Sequence, residues 1–161
     1  MSAESWRQLR FLSMGKFSLE AMVLVHAAPE RIFEEIQDLR RFNHWNAFME
    51  GNFHLSYSEN PVGVGAYSDW ESPKNAGRMT IVDSEWPSVV NAKMEFRKPA
   101  PSTASVQLRV FGTDHGTEVW WVMSGVRPAG QAIMSKLLRL DKMLTNHFLK
   151  SLNNLKSIVE Q

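Results

Sequence analysis

The stretch that decides the fold is QAIMSKLLRLDKMLTNHFLKSLNNLKSIVE, Gln131 to Glu160, which contains neither proline nor glycine. Within it Ile133, Leu137, Leu140, Leu144, Phe148, Leu152, Leu155 and Val159 recur at spacings of three and four. That spacing is one apolar stripe on a helix, which at 1.5 Å per residue runs for about 30 residues and roughly 45 Å. Lys136, Arg139, Lys142 and Lys150 fall on the opposite side. Pro128-Ala129-Gly130 stands immediately before the stretch and punctuates its start. A helix this long with a single apolar face needs one broad partner.

That partner lies upstream. Phe17, Leu19, Ala21, Val23 and Val25 alternate with Ser18, Glu20, Met22, Leu24 and His26, the period of a strand. Ala28-Pro29-Glu30 then opens a short helix, with proline in the first turn and an acid beside it. Ile32, Phe33 and Ile36 give that helix its apolar face, and Asp38 is placed to cap a further turn leading to Phe42, His44 and Trp45. After Gly51 the pattern becomes a meander. Phe53, Leu55 and Tyr57 alternate up to the Asn60-Pro61 turn, and Gly63 and Gly65 open a strand reaching Trp70. Met79 with Ile81, the run Val90, Ala92, Met94, Phe96, the run Ala104, Val106, Leu108, Val110, and finally Val119, Trp121, Met123 supply the other inward positions. Asp114-His115-Gly116 is a hairpin signal before the last of these strands. Six consecutive strands joined by short turns predict an antiparallel sheet, with the first strand at an edge, apolar on one face and polar on the other. The fold class is therefore α+β.

Composition narrows the function. The chain has 161 residues, which fits one domain spanning 16–161 after an extension, 1–15, that lacks the continuous apolar run of a signal peptide. Its 18 basic and 17 acidic residues offer no electrostatic case for nucleic acid. No apolar run approaches the roughly 20 residues that span a bilayer, so integral membrane association is not expected. Cysteine is absent, which removes disulfides, thiolate nucleophiles and cysteine metal sites and agrees with a reducing cytoplasm. No histidine pair has the spacing of a helical zinc motif, and Gly63-Val64-Gly65 lacks the third glycine of a dinucleotide fingerprint. The expectation is a cytoplasmic protein that uses no metal and no cofactor, either a monomer or a homodimer.

Several stretches together resemble the polyketide cyclase/dehydratase-like branch of the START/Bet v 1 (SRPBCC) superfamily. Ala28-Pro29-Glu30 with Ile32-Phe33, Asp38 and Trp45 is similar to its opening segment. Gly63-x-Gly65 with Trp70, and Gly77-Arg78-Met79-Thr80-Ile81, resemble its central hairpin. Gly116-Thr117-x-Val119-x-Trp121-x-Met123-x-Gly125 resembles its last strand, and Phe148, Leu152, Leu155-Lys156 and Glu160 its helix end. The likeness runs from about Phe17 to the C-terminus. It implies the helix-grip fold, a seven-stranded antiparallel sheet around a long C-terminal helix with two short helices after the first strand. It also implies a cavity that holds a lipid, sterol, polyketide or other small hydrophobic molecule, on which some members perform a reaction. These positions keep the fold, and no catalytic motif is carried over with them.

The strand phases place Trp70, Met79, Ile81, Met94, Phe96, Trp121 and Met123 inward as pocket residues, with Trp45 at the mouth and Phe148 and Asp141 on the helix. The plain structural reading is that the same apolar side chains simply fill the interior. Asp141 is the most informative polar residue, because it falls within the arc set by Leu137, Leu144, Phe148 and Leu152. A carboxylate there binds a ligand's polar group, serves as a general acid or base, or pairs with an arginine such as Arg127 or Arg139. Ser68, Thr145 and His44 are weaker catalytic candidates, His44 being equally a surface residue at a helix end. Three functions compete: binding of a small hydrophobic ligand, a cyclase/dehydratase-type enzyme acting on one, and a protein-interaction domain using the outer sheet face and Trp120.

Overall fold

A computed structural model describes residues 16–126 and 134–161. The expected N-terminal extension, 1–15, and the Arg127 and Pro128-Ala129-Gly130 readings lie outside the described residues. Elements follow in the order β1 (Lys16–Val25), α1 (Pro29–Gln37), α2 (Leu39–Trp45), a 3-10 turn (Ala47–Met49), β2 (His54–Tyr57), β3 (Tyr67–Glu71), β4 (Ala76–Glu85), β5 (Val89–Lys98), β6 (Ser102–Thr113), β7 (Gly116–Val126) and α3 (Met134–Val159). The strands form one seven-stranded sheet in the order β1-β7-β6-β5-β4-β3-β2, antiparallel throughout. β1 is an edge strand beside β7, as the meander requires.

Local chemistry explains the segment between β1 and β2. Pro29 sits in the first turn of α1, where its missing N–H costs nothing, and Ile32, Phe33 and Ile36 are buried. At Asp38 the chain turns extended, ending α1, and the Asp38 carboxylate accepts from the Arg40 N–H at 3.0 Å to cap α2. Asn46 repeats the device: it ends α2, and its side-chain oxygen accepts from the Phe48 N–H at 3.1 Å to start the 3-10 turn. Two caps in succession fold three short helical pieces back over one end of the sheet.

One sequence reading needs correction here. Gly63 and Gly65 do not open β3, which begins at Tyr67. Their φ angles of +78° and +91° are left-handed, a conformation that glycine adopts without strain, so both belong to the turn before the strand. Gly77 serves differently: a Cβ there would collide with the Trp70 ring, which lies across it.

α3 does not bury its whole stripe. Phe148, Leu152, Leu155 and Val159 are buried, Leu144 is half-buried, and Leu140 is 43% exposed. The physical reason is coverage. Among the described residues the helix packs mainly on β1 and the 3-10 turn, then on α1, α2 and β7, and its hydrogen bonds to Ala47, Trp45 and Leu24 come from its C-terminal half. No helix among the described residues is long and apolar enough to cross a membrane.

Candidate functional site

The register of the sheet assembles the inward face row by row. One row crosses the strands as Leu19, Met123, Val106, Ala92 and Ile81. The next runs Phe17, Gly125, Ala104, Met94, Met79, Ser68 and Tyr57. Small side chains (Gly125, Ala104 and Ala92) occupy the middle of these rows, and large ones stand at the ends. Met94 and Phe96 point inward yet remain half-buried, as do Leu55 and Tyr57 on the far strand. This part of the face lies under β2–β5, where α3 makes none of its main contacts.

The other end of the face is closed by aromatic rings. Trp121 stacks on Phe148 with centroids 5.0 Å apart and planes at 16°. Trp45 meets Trp121 edge-on at 6.1 Å, and Phe42 lies 4.7 Å from Trp45 and 5.5 Å from Trp121. Phe48 of the 3-10 turn touches Trp121 and Phe148 and stacks on His147 at 4.8 Å. Edge-to-face and offset contacts of this kind add to simple burial. Trp45 is therefore held inside this cluster, its indole N–H donating to the Glu35 carbonyl at 3.2 Å. At the open end Trp70 and Phe96 meet at 5.8 Å, with the Trp70 N–H donating to Asn75 at 3.1 Å. Met79, Ile81 and Met123 are buried between the two ends.

The polar candidates are distributed unevenly. Asp141 and Thr145 are both half-buried on α3. The Thr145 hydroxyl donates to the Asp141 backbone carbonyl at 2.8 Å, so its proton is committed to the helix. Ser68 is 2% exposed on the inward face, opposite Tyr57 in the register. The Tyr57 hydroxyl in turn accepts from the Asn43 amide of α2 at 3.4 Å. His44 is exposed and does not join them: with Glu35, Asp38, Arg40, Arg41 and Ile158 it lines an outer cleft of about 530 Å³. In that cleft burial pushes the Asp38 carboxyl up, but hydrogen bonds from the Arg40 side chain and backbone, with the Arg40 charge, outweigh it and hold the group below its ordinary value. A second depression, about 320 Å³, follows one flank of α3 along Arg139, Lys142, Met143, Asn146 and His147. Among the described residues no group of three acidic or histidine side chains could hold a metal.

On the outer face Asp69 and Arg78 form a two-pronged pair, both bonds at 2.8 Å, with the guanidinium over the Tyr67 ring. Arg78 holds the Asp69 carboxyl below its usual range, which is the signature of a structural ion pair. Trp120 is half-buried beside Met22, and its N–H donates to Glu118 at 3.2 Å.

Phe42, Phe48, Asn43 and Tyr57 were not among the residues expected from sequence. Tyr57 carried a signal, since it alternates with Leu55 on a strand whose phase was already assigned. Phe48 carried none, because a 3-10 turn of three residues has no readable period.

Comparison with solved structures decides the architecture. The di-domain ARO/CYC protein StfQ from the steffimycin biosynthetic pathway superposes with a TM-score of 0.71 at 14% identity, over 98% of this chain and 54% of that one. DynU16, a protein of the dynemicin biosynthetic locus, gives 0.63 at 17% identity over 89% of this chain and 47% of that one. An uncharacterised protein from Rhizobium leguminosarum gives 0.66 at 14% identity, over 90% and 95%. The scaffold is the helix-grip fold. This chain thus spans about half the length of StfQ and of DynU16, and nearly the whole of the Rhizobium protein. No family model and no curated protein matches the sequence.

Proposed function

We propose that this protein binds a small hydrophobic molecule, of lipid, sterol or polyketide type, between the inward sheet face and the N-terminal half of α3. One observation carries the reading: Met94, Phe96, Leu55 and Tyr57 face inward by register but stay partly accessible, on strands that α3 does not principally cover. Apolar surface left open inside a concave fold is the ordinary form of a ligand site. StfQ belongs to the steffimycin biosynthetic pathway and DynU16 to the dynemicin biosynthetic locus, which favours a polyketide-like ligand here.

The test combines mass spectrometry under non-denaturing conditions, after gentle purification, with titration by fluorescent fatty-acid and aromatic probes. Saturable binding is the expected result. Its absence across both probe panels contradicts the reading. Ala104→Phe sharpens the test by placing a ring in the middle of the face. Binding is then lost while thermal stability holds, whereas a solidly packed interior loses about 1–3 kcal/mol to the same overpacking.

A second reading rests on Asp141, the acidic side chain that α3 carries half-buried beside Thr145. In a cyclase/dehydratase-type enzyme the site would hold a flexible substrate folded while Asp141, with Ser68, moved a proton. Asp141→Asn would then keep ligand affinity and abolish turnover; unchanged turnover removes Asp141 from the chemistry.

A further inference from the structure

The indole N–H groups of this protein are unequally served. Those of Trp45, Trp70 and Trp120 each reach an oxygen at 3.1–3.2 Å. The Trp121 N–H is buried, on a residue 4% exposed, and has no acceptor among the described residues. Its surroundings explain why. The rings packed around it are Phe42, Trp45, Phe48 and Phe148, and its neighbours in the register are Ala21 and Leu108. None of these side chains carries an oxygen. A buried donor left without an acceptor is expensive, and native proteins nearly always supply one from water, an ion or a ligand.

We propose that the Trp121 N–H is the polar end of the binding site, donating to a carbonyl or phenolic oxygen of a ligand that is otherwise apolar. This rests on the binding reading above and narrows it. One directional donor in an otherwise apolar site fixes which end of a ligand enters first. A hydrocarbon chain without an oxygen gains nothing from the donor. A ketone satisfies the N–H.

The experiment uses two probes of equal size, acetylnaphthalene and ethylnaphthalene substituted at the same position, titrated into the full chain and into Trp121→Phe. The expected result is an affinity about tenfold higher for the ketone in the unaltered protein, the worth of one buried hydrogen bond, and equal affinities in Trp121→Phe. The Trp121 indole proton resonance moves downfield with the ketone and stays in place with the hydrocarbon, a readout that does not depend on the variant folding. Equal affinities for both probes in the unaltered protein overturn the inference and leave the binding reading standing. A ketone preference that survives Trp121→Phe also overturns it. If neither probe nor any fatty acid binds, the binding reading itself fails.

Discussion

The two halves of α3 carry the same spacing of leucines and do different work. From Phe148 to Val159 the stripe is closed off by β1, β7 and the short helices, and Phe148, Leu152 and Leu155 are 1% exposed or less. Polar bonds reinforce it. The Ser151 hydroxyl accepts from the Ala47 N–H at 2.8 Å, Asn154 donates to the Trp45 carbonyl at 3.1 Å, and Lys156 donates to the Leu24 carbonyl at 2.6 Å. Between Leu140 and His147 the packing thins, and Leu140 and Met143 are 43% and 45% exposed. The difference teaches that one amphipathic helix can be an anchor at one end and a wall at the other. Periodicity alone does not separate the two roles; coverage by the sheet does.

The sharpest way to break this comparison is to remove the same side chain from each half. Leu152→Ala is expected to destabilise the fold by about 2–5 kcal/mol, since it opens a cavity at a fully buried position. Leu140→Ala stays within about 0.5 kcal/mol, as surface substitutions do. Equal losses in chemical denaturation would show that both halves are anchored alike. A smaller effect is expected at Ser151, which is 0% exposed. Ser151→Ala leaves the buried Ala47 N–H without its acceptor and costs about 1–3 kcal/mol, read as a lower denaturant midpoint.

The smallest effect belongs to the end of the anchor. The Glu160 carboxylate accepts from the His26 N–H at 2.7 Å and from Lys156 at 2.8 Å. The His26 N–H first, then the Lys156 ammonium, hold its pKa below the usual glutamate value. A depressed acid contributes stability that is complete above its unfolded pKa and disappears as pH falls through its folded one. The melting temperature of the unaltered protein therefore exceeds that of Glu160→Gln by a small constant margin near neutrality. The margin closes on acidification below the unfolded glutamate range; a margin that widens in acid contradicts the assignment.

Much of this molecule could be read from the chain. Strand phases from Leu19 to Met123 place side chains inward where the register puts them, and the caps at Asp38 and the stripe from Phe148 to Val159 are equally plain. What escaped depends on contacts between distant segments. The ring cluster joins Phe42, Trp45 and Phe48 to Trp121 and Phe148, and no local pattern links positions so far apart. Ser151 escaped for a different reason: polarity on a helix reads as outward, although its position on the wheel lies in the same arc as Leu144 and Leu155. Asp141 was legible as an arc position, and it is half-buried where that arc leaves the packed sheet.

The central claim is that the C-terminal half of α3 holds the fold while the N-terminal half borders the ligand. Amide hydrogen exchange along the helix, with and without a saturating aromatic ketone, tests it in one measurement. The account predicts strong protection at 148–159 in both states, and weaker protection at 140–147 that rises on binding. Uniform protection along the helix that a bound ligand leaves unchanged would contradict it.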